Sequence, residues 1–338
     1  KVANKKVFKT NWNETRIIEP LELQDFLDKQ PGFAFVRPSG TEDVIRIHIE
    51  ADNNEKVEKI KENVLQFVKS KCRANNKIDI ENELLEVNPT HVMSFIVRTH
   101  GVIGDKKYTT IDYLEQPGKV IENVRDNLFS PIVLAILCKK HNMHFTYLGT
   151  GCIFKFDEEH PFGDETTGFT EGSLPNFFGS GYSVVKGFTD ELMHLFDDSV
   201  LNLRIRMPIT DELNPRNFIT KIITYEYICS IPNAMTVLDE LLPYVLNMAK
   251  NNITGTINLT NPGLVSHNEI LEMYKDIVDP EFTWKNFTPE EQSKILDADR
   301  SNNCLDTTKL STMYHDIKNI KESVRDTLIR MKSKLDNE

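Results

Sequence analysis

The sequence predicts an α/β protein in which a small α+β domain precedes a parallel sheet with helices on both faces and a small C-terminal lobe. Three observations lead to this prediction. Residues 1–71 show a strand–turn–strand–helix pattern, and from about residue 78 strands alternate with helices. The 338 residues are also enough for two ordinary domains.

The first block contains two predicted strands, Phe33–Val36 and Val44–Glu50, joined by a polar turn. The second strand alternates apolar and polar residues with a period of two, as half-buried strands do. A helix is predicted over Glu55–Lys71 because Val57, Ile60, Val64, Phe67 and Val68 fall on one stripe.

The second block repeats helix and strand in the order typical of βαβ units, which implies a parallel sheet covered on both faces. The predicted helices are Ile80–Glu86, Val120–His141 and Tyr182–Phe196, and the strands that follow them are His91–Val97, His144–Leu148 and Val200–Met207. A strand at Thr256–Thr260 and helices near 266–278 and 319–335 predict the smaller lobe.

Composition excludes several classes of function. A net charge of −11 and a pI near 5.4 argue against nucleic-acid binding, and no apolar stretch approaches the length of a membrane span. The five cysteines form no CxxC pair, so we expect neither a disulfide framework nor a metal site. The N-terminus lacks the apolar core of a signal peptide, and a reducing compartment, the cytoplasm, is predicted.

The turn at residues 37–43 is rich in groups that bind oxyanions, although an ordinary turn between two strands explains it equally well. Together with Asn11–Arg16 it resembles the phosphate-binding loop in the C-terminal domain of α-D-phosphohexomutases, especially phosphoacetylglucosamine mutase. The resemblance implies a domain over residues 1–72 and a phosphosugar site at residues 37–46, formed by Arg37, Ser39, Gly40, Thr41 and Arg46. The phosphoserine, magnesium and sugar loops of those mutases are not found in this sequence, so phosphate binding without mutase activity is expected.

A second motif joins a strand end to a helix. Thr150 ends a predicted strand, and Tyr182 and Lys186 are four residues apart, hence on one helix face. A lysine cation lowers the pKa of a neighbouring phenol, which suits a tyrosine for donating a proton to a carbonyl that receives hydride. The pattern resembles short-chain dehydrogenases/reductases; the alternative is a surface lysine beside a half-buried tyrosine.

Longer strings resemble one family, the bifunctional UDP-4-keto-6-deoxy-D-glucose 3,5-epimerase/4-reductases, which make UDP-L-rhamnose. They are Thr150–Phe154, Pro175–Ser183, Leu203–Ile209, Asn214–Lys221, Leu238–Pro243 and Asn261–Tyr274. The resemblance assigns proton removal and return at C3 and C5 to Cys152 and Lys221, although taken alone both look like structural residues. It further implies that Thr150 orients the carbonyl, that Asn217 binds substrate, and that Lys186 and Tyr182 contact the cofactor.

The resemblance implies a Rossmann-type sheet over residues 73–338 and NADPH, or NADH, as cofactor. Arg73 matches a position that favours the 2′-phosphate of NADPH, and Thr99 is expected near the cofactor. A Rossmann unit opens with a strand, a glycine-rich turn and a helix. Only Gly32 and Gly40 precede Gly101, and both belong to the mutase-like block, so we expect a truncated sheet that lacks its first β-α unit.

Three interpretations therefore remain open. The chain is a UDP-sugar epimerase/reductase with impaired cofactor binding, a non-catalytic remnant or phosphosugar-binding module joined to a truncated reductase, or the product of a misjoined reading frame. The first predicts a UDP-sugar as partner, and a homodimer is left open as the assembly.

Overall fold

The computed structural model describes residues 9–10, 16–19, 21–30, 33–38, 45–72 and 77–337. The chain divides into two compact units, residues 1–88 and 89–338. The predicted boundary at residues 72 and 73 separates two sequence resemblances and stays a prediction. Ser39, Gly40, Thr41 and Arg73 lie outside the described residues.

The first unit contains the predicted pair of strands followed by a long helix. Its described elements are β1 Lys9–Thr10, β2 Ile17–Glu19, α1 Leu21–Asp28, β3 Phe33–Pro38, β4 Ile45–Glu50, α2 Asn54–Cys72 and α3 Lys77–Val87. β3 and β4 pair antiparallel with Arg37 opposite Arg46. Ile60 and Val64, from the predicted apolar stripe of α2, are fully buried.

The second unit is built on a parallel sheet, as the sequence predicts. Its strands, in spatial order, are β13 Gly255–Asn258, β9 Val200–Ile205, β8 His144–Thr150 and β5 His91–Ser94. β8 and β9 lie in the middle of the sheet and are buried along nearly their whole length, so the polar side chains that they carry, such as Asn202 and Arg204, need buried partners. β5 is an edge strand among the described residues, and every strand of this sheet comes from the second unit.

Helices and short strands complete this unit. They are β6 Gly101–Ile103, β7 Lys106–Tyr108, α4 Val120–Val124, α5 Ser130–Lys140, α6 Gly181–Met193, β10 Pro208–Ile209, α7 Phe218–Ile222, β11 Tyr227–Ile228, β12 Thr236–Val237, α8 Leu238–Lys250, α9 His267–Ile277, β14 Lys285–Asn286, α10 Pro289–Ser293, α11 Thr308–Met313 and α12 Ile320–Leu335. Single 3₁₀ turns lie at Ile111–Tyr113 and His194–Phe196. The lobe core contains Ile219 of α7, Ile270 of α9 and Val324 of α12. No helix in the described ranges is long and apolar enough to cross a membrane.

The helix predicted over 120–141 is interrupted by a π-helical turn at Arg125–Phe129 between α4 and α5. Pro131 has no N–H to donate to the carbonyl of Asn127, four residues earlier. The Thr189 hydroxyl of α6 donates to that carbonyl instead, at 2.7 Å. The Asn127 side chain exchanges two hydrogen bonds of 2.9 Å with the backbone of Arg98. The π turn therefore ties α6 to the segment after β5.

Two predicted strands are too long at their C-terminal ends. β5 ends at Ser94, and residues 95–100 have no regular structure. β9 ends at Ile205, and Met207, just before Pro208, has a positive φ of 39°. That backbone conformation is incompatible with a continuing strand, so the chain turns there into β10.

Candidate active site

The end of β8 forms the base of the site. The backbone N–H of Cys152 donates to the Thr150 hydroxyl oxygen at 3.0 Å, which leaves the hydroxyl hydrogen free for another acceptor. A Cβ on the intervening Gly151 would lie 2.7 Å from Leu305 Cδ1, so only glycine fits there without movement. This turn therefore holds Thr150 and Cys152 together at the end of β8.

The first turn of α6 is fastened to that strand end. The Ser180 side chain caps the helix by accepting from the backbone N–H of Ser183 at 3.0 Å. The Ser183 hydroxyl then donates to the Cys152 carbonyl at 2.7 Å. Glu115 accepts from the Gly181 N–H at 2.7 Å. These contacts fix the position of Tyr182 relative to Thr150 and Cys152.

Tyr182 and Lys186 are both buried, with exposed fractions of 6% and 2%. Burial raises the pKa of Tyr182, the neighbouring Cys152 raises it further, and a hydrogen bond with Thr150 opposes the rise. Burial lowers the pKa of Lys186 to about 8, although Asp190 and Cys152 favour its charged form. Thr150 and Cys152 both act on Tyr182, and Cys152 also acts on Lys186, so the structure brings the four residues into one group. The expected lowering of the Tyr182 pKa by Lys186 is wrong for this structure, because burial raises that pKa instead.

A second layer lies behind this group. The Lys186 ammonium donates to the phenol oxygen of Tyr147 on β8. Asp190, one helical turn after Lys186, accepts from Arg204 Nε at 3.0 Å and from Asn202 Nδ2 at 2.9 Å. The Arg204 and Asp190 side chains are almost fully buried, so each compensates the other's charge.

Lys221 lies at the end of α7 in a different group of side chains. Burial lowers its pKa, and the positive charge of Arg216 lowers it further. Arg216 also contacts His100, whose pKa is lowered by burial and then by Arg216, Arg98, Lys221 and Lys107. No hydrogen bond joins Lys221 to Cys152, so their cooperation stays a prediction.

Other predicted site residues have identifiable positions. Asn217 caps α7, and its side chain donates to the carbonyls of Thr210 and Glu212, both at 2.9 Å. Its oxygen accepts from the N–H groups of Thr210 and Ile219. This amide is occupied within its own loop, and substrate binding by Asn217 stays a prediction. Thr99 lies in the irregular segment after β5, and its hydroxyl is 3.4 Å from His100 Nδ1.

A cavity of about 400 Å³ opens near the segment that follows Cys152. Its lining includes the cations Lys155 and Arg300 and the aromatic ring of Phe177. Arg300 is held by Asp112, whose other carboxylate oxygen accepts from the backbone of Asp297 at 3.0 Å. The cavity has room for a sugar or base. Lys155 offers positive charge to an anionic ligand, whereas Arg300 is paired with Asp112 and Asp299 adds a negative charge to the lining.

Sequence reasoning missed several residues around the site. The sequence analysis assigned no role to Tyr147, which lies within a predicted strand, or to Arg206, which lies near the end of another. Arg206 is fully buried, and its guanidinium donates to the carbonyl of Gly151 at 3.0 Å and to the Ser301 hydroxyl at 2.8 Å. A charged residue within a predicted buried strand is the signal that could have identified Arg206, because such a group needs partners.

The larger unit resembles characterised nucleotide-sugar enzymes. The chain is 57% identical over 267 residues to the L780 protein of Acanthamoeba polyphaga mimivirus, covering 79% of this chain and 90% of that protein. The crystal structure of this L780 UDP-rhamnose synthase matches with a TM-score of 0.72 over 76% of this chain and 88% of that one. The Arabidopsis thaliana bifunctional dTDP-4-dehydrorhamnose 3,5-epimerase/dTDP-4-dehydrorhamnose reductase is 47% identical over 253 residues, covering 75% of this chain and 80% of its own length.

More distant structures share the fold. The dTDP-4-dehydrorhamnose reductase of Bacillus anthracis, solved in complex with NADP, matches with a TM-score of 0.61 at 16% identity, over 75% of this chain and 85% of that one. At that identity the likeness concerns the fold alone. The α/β architecture with a Rossmann-like parallel sheet is confirmed.

The first unit resembles a different family. Residues 6–67 match the family model described as phosphoglucomutase/phosphomannomutase, C-terminal domain. Phosphoacetylglucosamine mutase of Candida albicans is 40% identical over 73 residues, which cover 20% of this chain and 13% of that mutase. The similarity is therefore limited to one domain of a much longer enzyme.

Proposed function

The chain belongs to the family of nucleotide-sugar 3,5-epimerase/4-reductases that includes the mimivirus UDP-rhamnose synthase, and on that premise we propose that it converts UDP-4-keto-6-deoxy-D-glucose into UDP-L-rhamnose. The observation that carries the proposal is the convergence of Thr150, Cys152, Tyr182 and Lys186 at the end of β8. These residues supply a thiol, a phenol, a hydroxyl and a cation within one buried group. That set suits proton transfer and carbonyl reduction on one substrate.

Epimerisation requires a base that removes a proton beside the 4-keto group and an acid that returns one to the opposite face. Lys221 suits the base, because burial and Arg216 lower its pKa and so favour the neutral amine. Cys152, half-buried at the strand end, suits the acid as a thiol. The ketone acidifies the C3 and C5 hydrogens, so one pair of groups can act at both carbons.

Reduction at C4 requires a hydride, which NADPH or NADH supplies when bound. Tyr182 then protonates the new C4 oxygen, Thr150 orients that oxygen, and Lys186 supplies the cation beside the phenol. The buried phenol and ammonium fit the nicotinamide-ribose end of such a cofactor. No described residue belongs to a glycine-rich turn that would bind the pyrophosphate, so we expect impaired cofactor affinity.

The substrate's nucleotide is assigned to the cavity near Cys152. Lys155 and Arg300 offer charge to the diphosphate, and Phe177 offers a ring against which the uracil base can pack. A net charge of −11 repels anions at long range, so local cations of this kind are needed to bind a UDP-sugar.

The first unit is proposed to bind the phosphate of a phosphosugar. The mutase-type domain match and the antiparallel register that places Arg37 opposite Arg46 support this proposal. Catalysis of phosphate transfer is not proposed, since the similarity covers only the last domain of such mutases.

Two further proposals concern assembly and compartment. Phe129, Phe188 and Leu195 are largely exposed on neighbouring helical segments of the second unit, which supports a homodimer that covers them. Cys138, Cys152, Cys229 and Cys304 are free thiols, which supports a reducing compartment, the cytoplasm.

Hydrogen–deuterium exchange at C3 and C5 of the substrate tests the proposed division of roles without a cofactor. The purified chain is incubated with UDP-4-keto-6-deoxy-D-glucose in D₂O, and incorporation is followed by NMR. Cys152→Ala and Lys221→Ala should each slow exchange, whereas Tyr182→Phe should leave it largely intact. Cys229→Ala serves as the matched control for loss of a buried thiol. Equal loss in all three site variants would refute the division, and no exchange by the folded wild type would favour the non-catalytic alternative.

A further inference from the structure

Tyr147 is a buried residue beside Lys186 to which the proposed reaction assigns no role. It lies in the middle of β8 with an exposed fraction of 1%, three residues before Thr150. Its phenol oxygen accepts a hydrogen bond from the Lys186 ammonium, and Lys186 Nζ lies 4.5 Å from the centre of its ring. The hydrogen bond to the phenol oxygen is therefore the contact through which Tyr147 acts on this cation.

Few described side chains stabilise the charged form of Lys186. Among the residues that the structure describes, the Tyr147 oxygen is its one hydrogen-bond acceptor. The other groups that influence it are Asp190 on the same helix and Cys152 at the strand end. Asp190 is already shared with Arg204 and Asn202, so its carboxylate is largely engaged.

We propose that Tyr147 is a positioning residue that holds Lys186 as an ammonium ion behind Tyr182. The phenol oxygen stabilises the charged form by accepting a hydrogen bond from the ammonium group. Without this oxygen, a buried lysine loses its proton more readily, since an amine is easier to bury than an ammonium ion. The consequence for reduction rests on the proposed function, because only there does Lys186 assist Tyr182.

The first test is a titration of Lys186 in the substrate-free protein. Tyr147→Phe removes the oxygen and keeps the ring, so the fold should tolerate it. The Lys186 signal, assigned by its loss in Lys186→Arg, is followed by ¹⁵N NMR in lysine-labelled protein. We expect its pKa to fall below the wild-type value, which the structure places at about 8. An unchanged titration midpoint would overturn the proposal.

Tyr113→Phe is the matched control. Tyr113 is a buried tyrosine in the same cluster as Tyr182, but its hydroxyl donates to Glu122 at 2.7 Å. Loss of the Tyr113 hydroxyl should leave the pKa of Lys186 unchanged. An equal shift in both variants would indicate a general loosening of the site and would also overturn the proposal.

The second test follows the reaction at pH 7.5 with saturating NADPH. Tyr147→Phe should lower kcat for reduction about threefold, because a fall of about one unit in the pKa of Lys186 from about 8 lowers its charged fraction about threefold at this pH, with KM for the UDP-sugar unchanged. Exchange at C3 and C5 should persist. A wild-type chain inactive in both assays would refute the proposed function while the titration still decided the role of Tyr147. A kcat equal to wild type would refute the positioning role.

Discussion

The buried ammonium of Lys186 should leave a measurable trace in the pH dependence of stability. Burial lowers its pKa to about 8 in the folded protein, whereas an exposed lysine in an unfolded chain titrates near 10.4. Between these values the unfolded state binds more protons than the folded state, so stability rises with pH. Relative to its fully protonated form, this group therefore contributes its full stabilisation above about pH 10.4, and that stabilisation is lost as the pH falls through about 8.

The size of the effect follows from the difference between the two pKa values. Each unit corresponds to about 1.4 kcal/mol, and the lowering of roughly two and a half units corresponds to about 3 kcal/mol. Lys186→Met removes the titrating group. The unfolding free energy of the wild type, taken relative to that of Lys186→Met, should thus rise by about 3 kcal/mol from pH 7 to pH 10.5.

Urea unfolding of the second unit is the assay. The chain has two tryptophans, and a Trp12→Phe background leaves Trp284 as the reporter of this unit. Lys250→Met, in the last turn of α8, is the control for loss of an exposed lysine. A change below about 1 kcal/mol for Lys186→Met, or an equal change for the control, would refute the reasoning about the buried cation.

The remaining predictions concern the cofactor, the first unit and the buried ion pair. NADPH should bind weakly, because only Gly32 and Gly40 precede Gly101 and we expect no glycine-rich turn to bind the pyrophosphate; sub-micromolar affinity by calorimetry would contradict this. A hexosamine phosphate should shift the NMR signals of residues 37–46, and Arg37→Ala should abolish the shifts; unaltered wild-type signals, or mutase turnover, would each count against the claim. Asp190→Asn should destabilise the second unit by about 3–5 kcal/mol because Arg204 stays buried without its counter-charge, and a loss below about 1 kcal/mol in urea unfolding would be evidence against it.

The elements with strong local patterns could be predicted from the sequence. β8 and β9 were predicted as strands and are buried on both faces, and Ile60 and Val64 of the predicted α2 stripe are buried. The interruption at Arg125–Phe129 escaped prediction because the apolar spacing continues through it. Its cause is the pairing of a proline-freed carbonyl with Thr189, 62 residues away.

In the site too, contacts within one helix could be predicted from the sequence, whereas contacts between distant segments could not. Tyr182 and Lys186 share a helix, so their spacing alone indicated a common face. Tyr147, Arg216 and His100 are brought to the site by strand order and loop packing, which no short spacing encodes. No spacing in the sequence relates Lys221 on α7 to Cys152 after β8 either, and a resemblance rather than a pattern suggested their pairing.

The central claim is that this chain epimerises and reduces a UDP-4-keto sugar with the residues at the end of β8. The most direct measurement is product analysis by NMR after incubation of the purified chain with UDP-4-keto-6-deoxy-D-glucose and millimolar NADPH. We expect UDP-L-rhamnose to form together with an equal amount of oxidised cofactor, and Tyr182→Phe to stop its formation. A folded wild-type chain that produces neither UDP-L-rhamnose nor any exchange at C3 and C5 would contradict the account.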